Sequence, residues 1–430
     1  MNRITTVLAI LGCWSAALAV PTSMNHLDQG GSSPTSVPSF WVEPWVEQKT
    51  QDELQRATEL LSAGQLDQAI LILRNITREE PKNPDAQLLL GTALALVPQR
   101  TQAIEALQKA IELRPAFAPG YVALGMALTR FVELDAATEM FNKALTLDPQ
   151  RVDAHISLGL ILAQRKQSAS AREHFQKAIR VLGDSPAAAY PRYLLAHVLA
   201  EAEEFARALE EIEVAIKLRP DYSEAYLSQG LLKKRLRDEQ GALLAFNRAV
   251  ALSPDNAKGR YELGAAYLLA GQILPAIEHL QKSLELRPGD RFAMYHLCRA
   301  FRRAGRNDDA KVCQQQLSKI IEGQLKAADL SAGELNNQGV RLEQTGELTG
   351  ALDKYREAVN LDPLNPVFKR NLALVLCRLG RWEEAVEELK EVLEIDPADA
   401  KATKALYMAL DKVSSVKTKS PDGKTKPEKR

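Results

Sequence analysis

The sequence predicts an all-α chain, a solenoid of stacked helical hairpins that needs no single core. Three observations predict it. Apolar residues recur at helical spacing in pairs of short runs, small residues hold one fixed place in each run, and the pattern returns every 34 residues. The unit is plainest in Tyr121 to Pro149, YVALGMALTRFVELDAATEMFNKALTLDP. Tyr121, Leu124, Gly125 and Leu128 form one helical stripe, and Ala137, Phe141 and Ala144 form a second after a break at Glu133 to Asp135. Gly125 and Ala137 are small where two helices would cross, so the axes can approach closely while Tyr121, Leu128 and Phe141 fill the flanks. Pro149 ends the second helix, because proline supplies no N–H and disfavours helix in the residue before it.

Shifting this unit along the chain finds it again. Leu90-Gly91, Ala103, Leu107 and Pro115 mark the preceding copy, and Leu158-Gly159, Ala171 and Phe175 the following one. Further copies carry Ala208, Ile212 and Pro220, then Gly230, Ala242, Phe246 and Pro254, then Gly264, Ala276, Leu280 and Pro288. Cys298 with Ala310, Gly339 with Ala351, Tyr355 and Pro363, and Ala373 with Ala385, Leu389 and Pro397 complete the series, which Ala57, Ala69, Leu73 and Pro81 begin. The pattern of a large residue, Leu-Gly, a second large residue, Ala, an aromatic and a closing Pro resembles the tetratricopeptide repeat. The expected fold is therefore a right-handed superhelical α-solenoid of about ten tetratricopeptide helix-turn-helix repeats, eight over residues 50–322 and two over 332–399. Two joints should be irregular. Gly183 replaces a closing proline and three extra residues follow; near 323–331, Glu322 stands where proline should, and the array is expected to bend or divide.

At the start, Arg3 followed by the apolar run Val7 to Val20 and Ala17-Leu18-Ala19 has the layout of a secretory signal over residues 1–19, with an uncleaved membrane anchor as the alternative. Residues 20–49 read as a flexible linker whose Phe40, Trp41 and Trp45 are expected to cover the first repeat, with a docking motif for another protein as the alternative. Residues 400–413 keep a helical apolar pattern and should cap the last repeat, and 414–430 read as a disordered basic tail. The expected location is secreted or periplasmic.

Composition narrows the function. In a chain of 430 residues Lys plus Arg equals Asp plus Glu at 55 each, so no global field steers it to nucleic acid or an acidic membrane. None of the six histidines sits in a metal spacing, and the sequence has no phosphate-cradling glycine loop and no nucleophile elbow. Glu383, Glu384, Glu387 and Glu388 read as a solvated helix face. No catalytic, metal or cofactor site is expected. After signal removal Cys298, Cys313 and Cys377 remain; buried free thiols are the expected state, with a Cys298–Cys313 bridge as the alternative in an oxidising compartment.

The resemblance implies that the first helices of successive repeats line a groove that binds an extended peptide or a partner protein. The stripe expected to face it is apolar early, at Leu54, Leu88, Val122, Met126, Ile156, Leu160 and Leu227. Later it becomes aromatic and cationic, through Tyr193, His197, Lys234, Arg235, Lys258, Tyr261, Phe292, Tyr295, Arg299, Arg302 and Arg303. Asn337 and Asn371 share one repeat position and look like asparagines that ladder a peptide backbone in related repeat domains. The reading is a non-catalytic scaffold that binds a protein or peptide with acidic groups outside the cytoplasm; the alternative is an accessory factor in envelope or extracellular polysaccharide biosynthesis or export.

Overall fold

The computed structural model describes residues 43–97, 99–328 and 332–418. Among the described residues the chain is helical throughout and has no strand. The described residues form two compact units, divided between Asp238 and Glu239. The first holds five helical hairpins: α1 (Glu43–Ser62) with α2 (Leu66–Glu79), α3 (Pro84–Leu96) with α4 (Arg100–Leu113), α5 (Ala118–Arg130) with α6 (Leu134–Leu147), α7 (Val152–Gln164) with α8 (Ser168–Leu182), and α9 (Ala189–Glu201) with α10 (Phe205–Leu218); α11 (Ser223–Arg235) ends it. The second begins with α12 (Glu239–Leu252) and holds four hairpins: α13 (Ala257–Leu269) with α14 (Ile273–Leu286), α15 (Arg291–Arg303) with α16 (Asn307–Ala328), α17 (Ala332–Thr345) with α18 (Leu348–Leu361), and α19 (Pro366–Arg378) with α20 (Trp382–Ile395); α21 (Ala400–Thr418) ends it.

Each hairpin is closed by the small-residue crossing that the pattern predicts. An ideal Cβ on Gly125 would lie 2.8 Å from the Phe141 ring, and one on Gly159 would lie 2.5 Å from the Phe175 ring. Ala137, Ala171, Ala208, Ala276, Ala351 and Ala385 are fully buried on the opposing helices. The residues between hairpins do two jobs in three positions. A proline stops one helix, and the side chain two residues later caps the next: Asn83 after Pro81, Asp290 after Pro288, Asn365 after Pro363 and Asp399 after Pro397 each accept two backbone N–H groups of the new first turn.

Within hairpins the tight turn requires a left-handed residue. Glycine supplies it in some, but Val132 takes the same conformation at φ 66°. A β-branched residue there is strained, and Val132 is exposed, so its side chain gives little in return. Val132→Gly is expected to raise the denaturation midpoint, by about 1 kcal/mol in stability; an unchanged or lower midpoint would contradict the strain argument.

The joints resolve as follows. A single 3-10 turn, Pro186–Ala188, takes up the extra residues after Gly183. At the second joint α16 runs on to Ala328 because Glu322 does not stop it as proline does elsewhere; residues 329–331 lie outside the described residues. The boundary between the compact units falls at Asp238, not at this joint. Helix α1 starts at Glu43, inside the stretch read as linker, with Pro44 in its first turn where proline is tolerated. Helix α21 continues to Thr418, into the stretch read as disordered, since no proline intervenes before Pro421. The signal segment, Phe40 and Trp41 lie outside the described residues.

The expectation of free thiols at Cys298 and Cys313 is corrected. They are bridged, with Cα atoms 5.4 Å apart, tying α15 to α16. The small-residue crossing that suggested simple packing is also what brings the two Cα atoms within bridging distance. Cys377 is free and buried. Unfolding a chain that begins at Val20, which lacks Cys13, without reductant should expose one reactive thiol; three would exclude the bridge.

Candidate interaction face

The apolar half of the predicted groove stripe is packing. Val122 and Met126 are each 1% exposed, and Ile156, Leu160 and Leu227 are also buried, within the cores of successive hairpins. First helices of neighbouring hairpins press against each other there; Leu54 and Leu88, at the start of the stripe, are half-buried against the same core and are the part of it that keeps some open surface.

A second use of the first helices is polar. A side chain near the start of the first helix reaches the one 19 residues on, in the second helix of the same hairpin. In the first unit these pairs are His155 with His174, Nδ1 to Nδ1 at 3.0 Å, and Arg192 with Glu211 at 2.7 Å. In the second unit they are Arg260 with His279 at 3.2 Å and Lys369 with Glu388 at 3.3 Å. Burial, with lesser contributions from nearby charges, lowers the pKa of His155 and His174, so both are neutral at pH 7. The Nε2–H of His155 donates to the Pro149 carbonyl, which leaves its Nδ1 to accept from His174.

In the first unit, Tyr193 lies edge-on to His197 with centroids 4.5 Å apart and 5.2 Å from Tyr222. His197 and Ser228 are within hydrogen-bond distance at 3.2 Å. This aromatic cluster joins α9 to α11, and burial raises the pKa of both tyrosines. Lys234 and Arg235 are exposed in the last turn of α11, where cations complement the helix dipole.

In the second unit, Lys258 is exposed in the first turn of α13. Tyr261 lies 5.7 Å from the ring of His296, and Phe292 lies under the Arg291 guanidinium at 5.0 Å. Three of the remaining predicted residues of α15, Tyr295, Arg299 and Arg302, converge on α20. The Tyr295 hydroxyl donates to Glu391 at 3.0 Å; Arg299 donates to Glu391 at 2.6 Å and to Glu394 at 2.7 Å; Arg302 donates to the Glu394 carbonyl at 2.8 Å. Lys369 of α19 completes the cluster, 2.6 Å from Glu391 and 5.3 Å from the centre of the Tyr295 ring. Burial opposes the charge on Glu391, but Lys369 and Arg299 outweigh it and hold its carboxyl down at about 2. Glu388 is pushed up by burial, which its lysine only partly offsets.

Arg303 takes a different role, donating to the Leu268 carbonyl at the end of the preceding first helix, as Arg130 does to Leu96 in the first unit. The two predicted asparagines differ in their surroundings. Asn371 donates to Asn336 at 2.9 Å, whereas Asn337 is exposed. Reasoning from sequence thus missed Lys369, Glu388, Glu391, Glu394 and Asn336. Lys369 carried a usable signal, since it occupies the same hairpin position as His155, Arg192 and Arg260.

Two family models, both described as tetratricopeptide repeat, match this chain, one over residues 60–124 and 342–407 and the other over 122–189, 193–257 and 229–291. Together they span more than half of the sequence. The chain belongs to the tetratricopeptide repeat family. Tetratricopeptide repeat proteins generally mediate protein–protein interactions and act as non-catalytic scaffolds. Among curated relatives, BBSome complex member bbs-4 of Caenorhabditis elegans is 27% identical over 183 residues, 41% of this chain and 39% of that protein. The TPR repeat-containing thioredoxin TTL4 of Arabidopsis thaliana is 32% identical over 103 residues, 23% of this chain and 15% of that protein. This chain therefore spans less than half the length of either. Among solved structures, YrrB, a TPR protein with an unusual peptide-binding site, is 26% identical with a TM-score of 0.38, covering 45% of this chain and 97% of that one.

Proposed function

We propose that this tetratricopeptide repeat protein is a non-catalytic scaffold that binds an acidic protein or peptide partner outside the cytoplasm. The observation that carries the reading is the α15 face. Tyr295, Arg299 and Arg302 present a hydroxyl and two guanidinium groups to carboxylates and a helix-end carbonyl, the chemistry by which a cationic and aromatic surface takes an acidic protein segment. Export is supported by the signal-like segment at residues 1–19 and by the Cys298–Cys313 bridge, which suits an oxidising compartment.

Fractionation of the source cells followed by affinity capture with the full mature chain tests both parts. The protein is expected in the extracytoplasmic fraction, retaining a protein partner at about 0.05 M salt and releasing it at about 1 M, where the Debye length falls to roughly 3 Å. Recovery in the cytoplasmic fraction with Met1 intact would overturn export. Retention of a polysaccharide with no protein, or a protein held equally at both salts, would overturn the acidic-partner reading.

A further inference from the structure

The contact between α15 and α20 is not ordinary stacking of neighbours. Contacts between consecutive first helices span about one repeat, as in Arg303 to Leu268 or Arg378 to Glu343, each 35 residues apart. The bonds from Tyr295, Arg299 and Arg302 to Glu391 and Glu394 span 92 to 96 residues, past the whole hairpin of α17 and α18. The two sides also have separate apolar cores. One cluster is built around Tyr295, Phe301 and Leu317, the other around Tyr355, Leu372 and Leu389, and Leu364, from the turn before α19, packs partly buried against the first. What joins the sides is therefore mostly ionic and hydrogen-bonded. Such a join stays specific in geometry yet can exchange one acidic helix for another, because little apolar area has to be re-exposed.

The groups that α15 engages on α20 are also specific. They are two carboxylates three residues apart, Glu391 and Glu394, and the carbonyl of Glu394 in the last turn of the helix. Arg299 meets both carboxylates with separate nitrogens, and Arg302 takes a carbonyl that the helix end leaves without an intrahelical donor.

We infer that this face of α15 is a docking surface for the C-terminal turn of an acidic helix carrying Glu-x-x-Glu, and that α20 occupies it in cis, so that a partner helix of the same kind binds by displacing α20. The inference rests on the scaffold reading and specifies its acidic partner. In the closed state the partner competes with a tethered segment whose effective concentration is in the millimolar range, so affinity is withheld until α20 is released.

The test uses the full chain and a fluorescent synthetic peptide with the sequence of Trp382 to Ile395, followed by anisotropy. With Glu391→Gln and Glu394→Gln together in the protein, the peptide is expected to bind at least tenfold more tightly than to the wild type, because the cis competitor is weakened. Adding Arg299→Ala should reverse that gain by tenfold or more. A peptide carrying glutamine at the two glutamate positions should not bind. Equal binding to wild type and double variant, or binding indifferent to Arg299→Ala, overturns the inference. If circular dichroism shows that the double variant is unfolded, Glu394→Gln alone serves, since Glu391 then keeps its pairs with Lys369 and Arg299 and a smaller gain of the same sign is required. A native partner captured equally by wild type and Arg299→Ala would sink this inference while leaving the scaffold reading standing.

Discussion

Gly159→Leu is expected to destabilise the hairpin of α7 and α8 by about 1–3 kcal/mol or somewhat more. Even the first added carbon would stand 2.5 Å from Cε1 of Phe175 and 2.8 Å from two further ring atoms. That ring is 1% exposed and its neighbours Leu158 and Ile161 are equally enclosed, so it has nowhere to rotate. The helices must separate instead, losing the dispersion contacts along the whole crossing. In a solenoid each hairpin touches only its neighbours, so the damage should stay local. Hydrogen exchange should rise most in α7 and α8, less in α5, α6, α9 and α10, and hardly at all in α1 and α2. A uniform rise over all helices of the first unit would contradict the local picture.

That crossing is also the part of the fold most legible in the sequence. A solenoid repeats one short-range solution, so Gly125, Ala137 and Phe141 disclose a geometry that Gly159, Ala171 and Phe175 repeat one unit later. The first irregularity was legible, since a 3-10 turn takes up the extra residues after Gly183, but the second was misread: residues 323–328, expected to form an irregular joint, continue α16, which runs to Ala328 because no proline stops it at Glu322. The candidate interaction face was only half legible. The 34-residue register collects Tyr295, Arg299 and Arg302 on one helix, and the structure brings them together. It cannot reveal that Glu391 and Glu394 meet them, because that contact spans more than two repeats and depends on how hairpins accumulate in space. Local charge pattern misled for Glu388, which faces a buried lysine, but not for Glu383 and Glu387, which are exposed. The asparagine pair shows a finer limit. Asn371 meets Asn336, 35 residues back, and not Asn337 at the matching repeat position, a choice that sequence spacing alone does not make. The sequence leaves the bridge of Cys298 to Cys313 open, because a small-residue crossing brings the two Cα atoms to 5.4 Å, a distance that suits packed thiols and a disulfide alike.

Lys369→Met should cost about 3–5 kcal/mol at pH 7, and the cost should shrink in acid. Lys369 is 4% exposed, with Nζ 2.6 Å from Glu391 and 3.3 Å from Glu388. Burial alone would lower its pKa, but the two carboxylates and Tyr295 raise it above the ordinary lysine value, so it is charged at all physiological pH. Methionine matches the aliphatic stem and removes the charge, leaving Glu388 and Glu391 half-buried beside each other with Arg299 as the remaining ion-pair partner of Glu391. An unpaired buried charge is the costly state, more so than an apolar replacement of the whole pair. The sign of the pH dependence follows from Glu391. Its carboxyl is held at about 2, below the ordinary 4.5, so in the wild type its contribution is present above 4.5 and lost as the pH falls towards 2. Glu388 is shifted upward and opposes this at neutral pH, favouring its protonated form. Without Lys369 both carboxyls take up protons more readily, so the variant regains part of its deficit between about pH 5 and pH 3 while the wild type loses stability there. Denaturant midpoints of the two proteins at pH 7 and pH 4 measure this directly. The gap should narrow at pH 4, and Lys369→Met combined with Glu388→Leu should recover a large part of the loss at pH 7. A gap that is the same at both pH values would mean that Lys369 acts through packing of its stem alone, and the cluster around Glu391 would then contribute no electrostatic hold between α15 and α20.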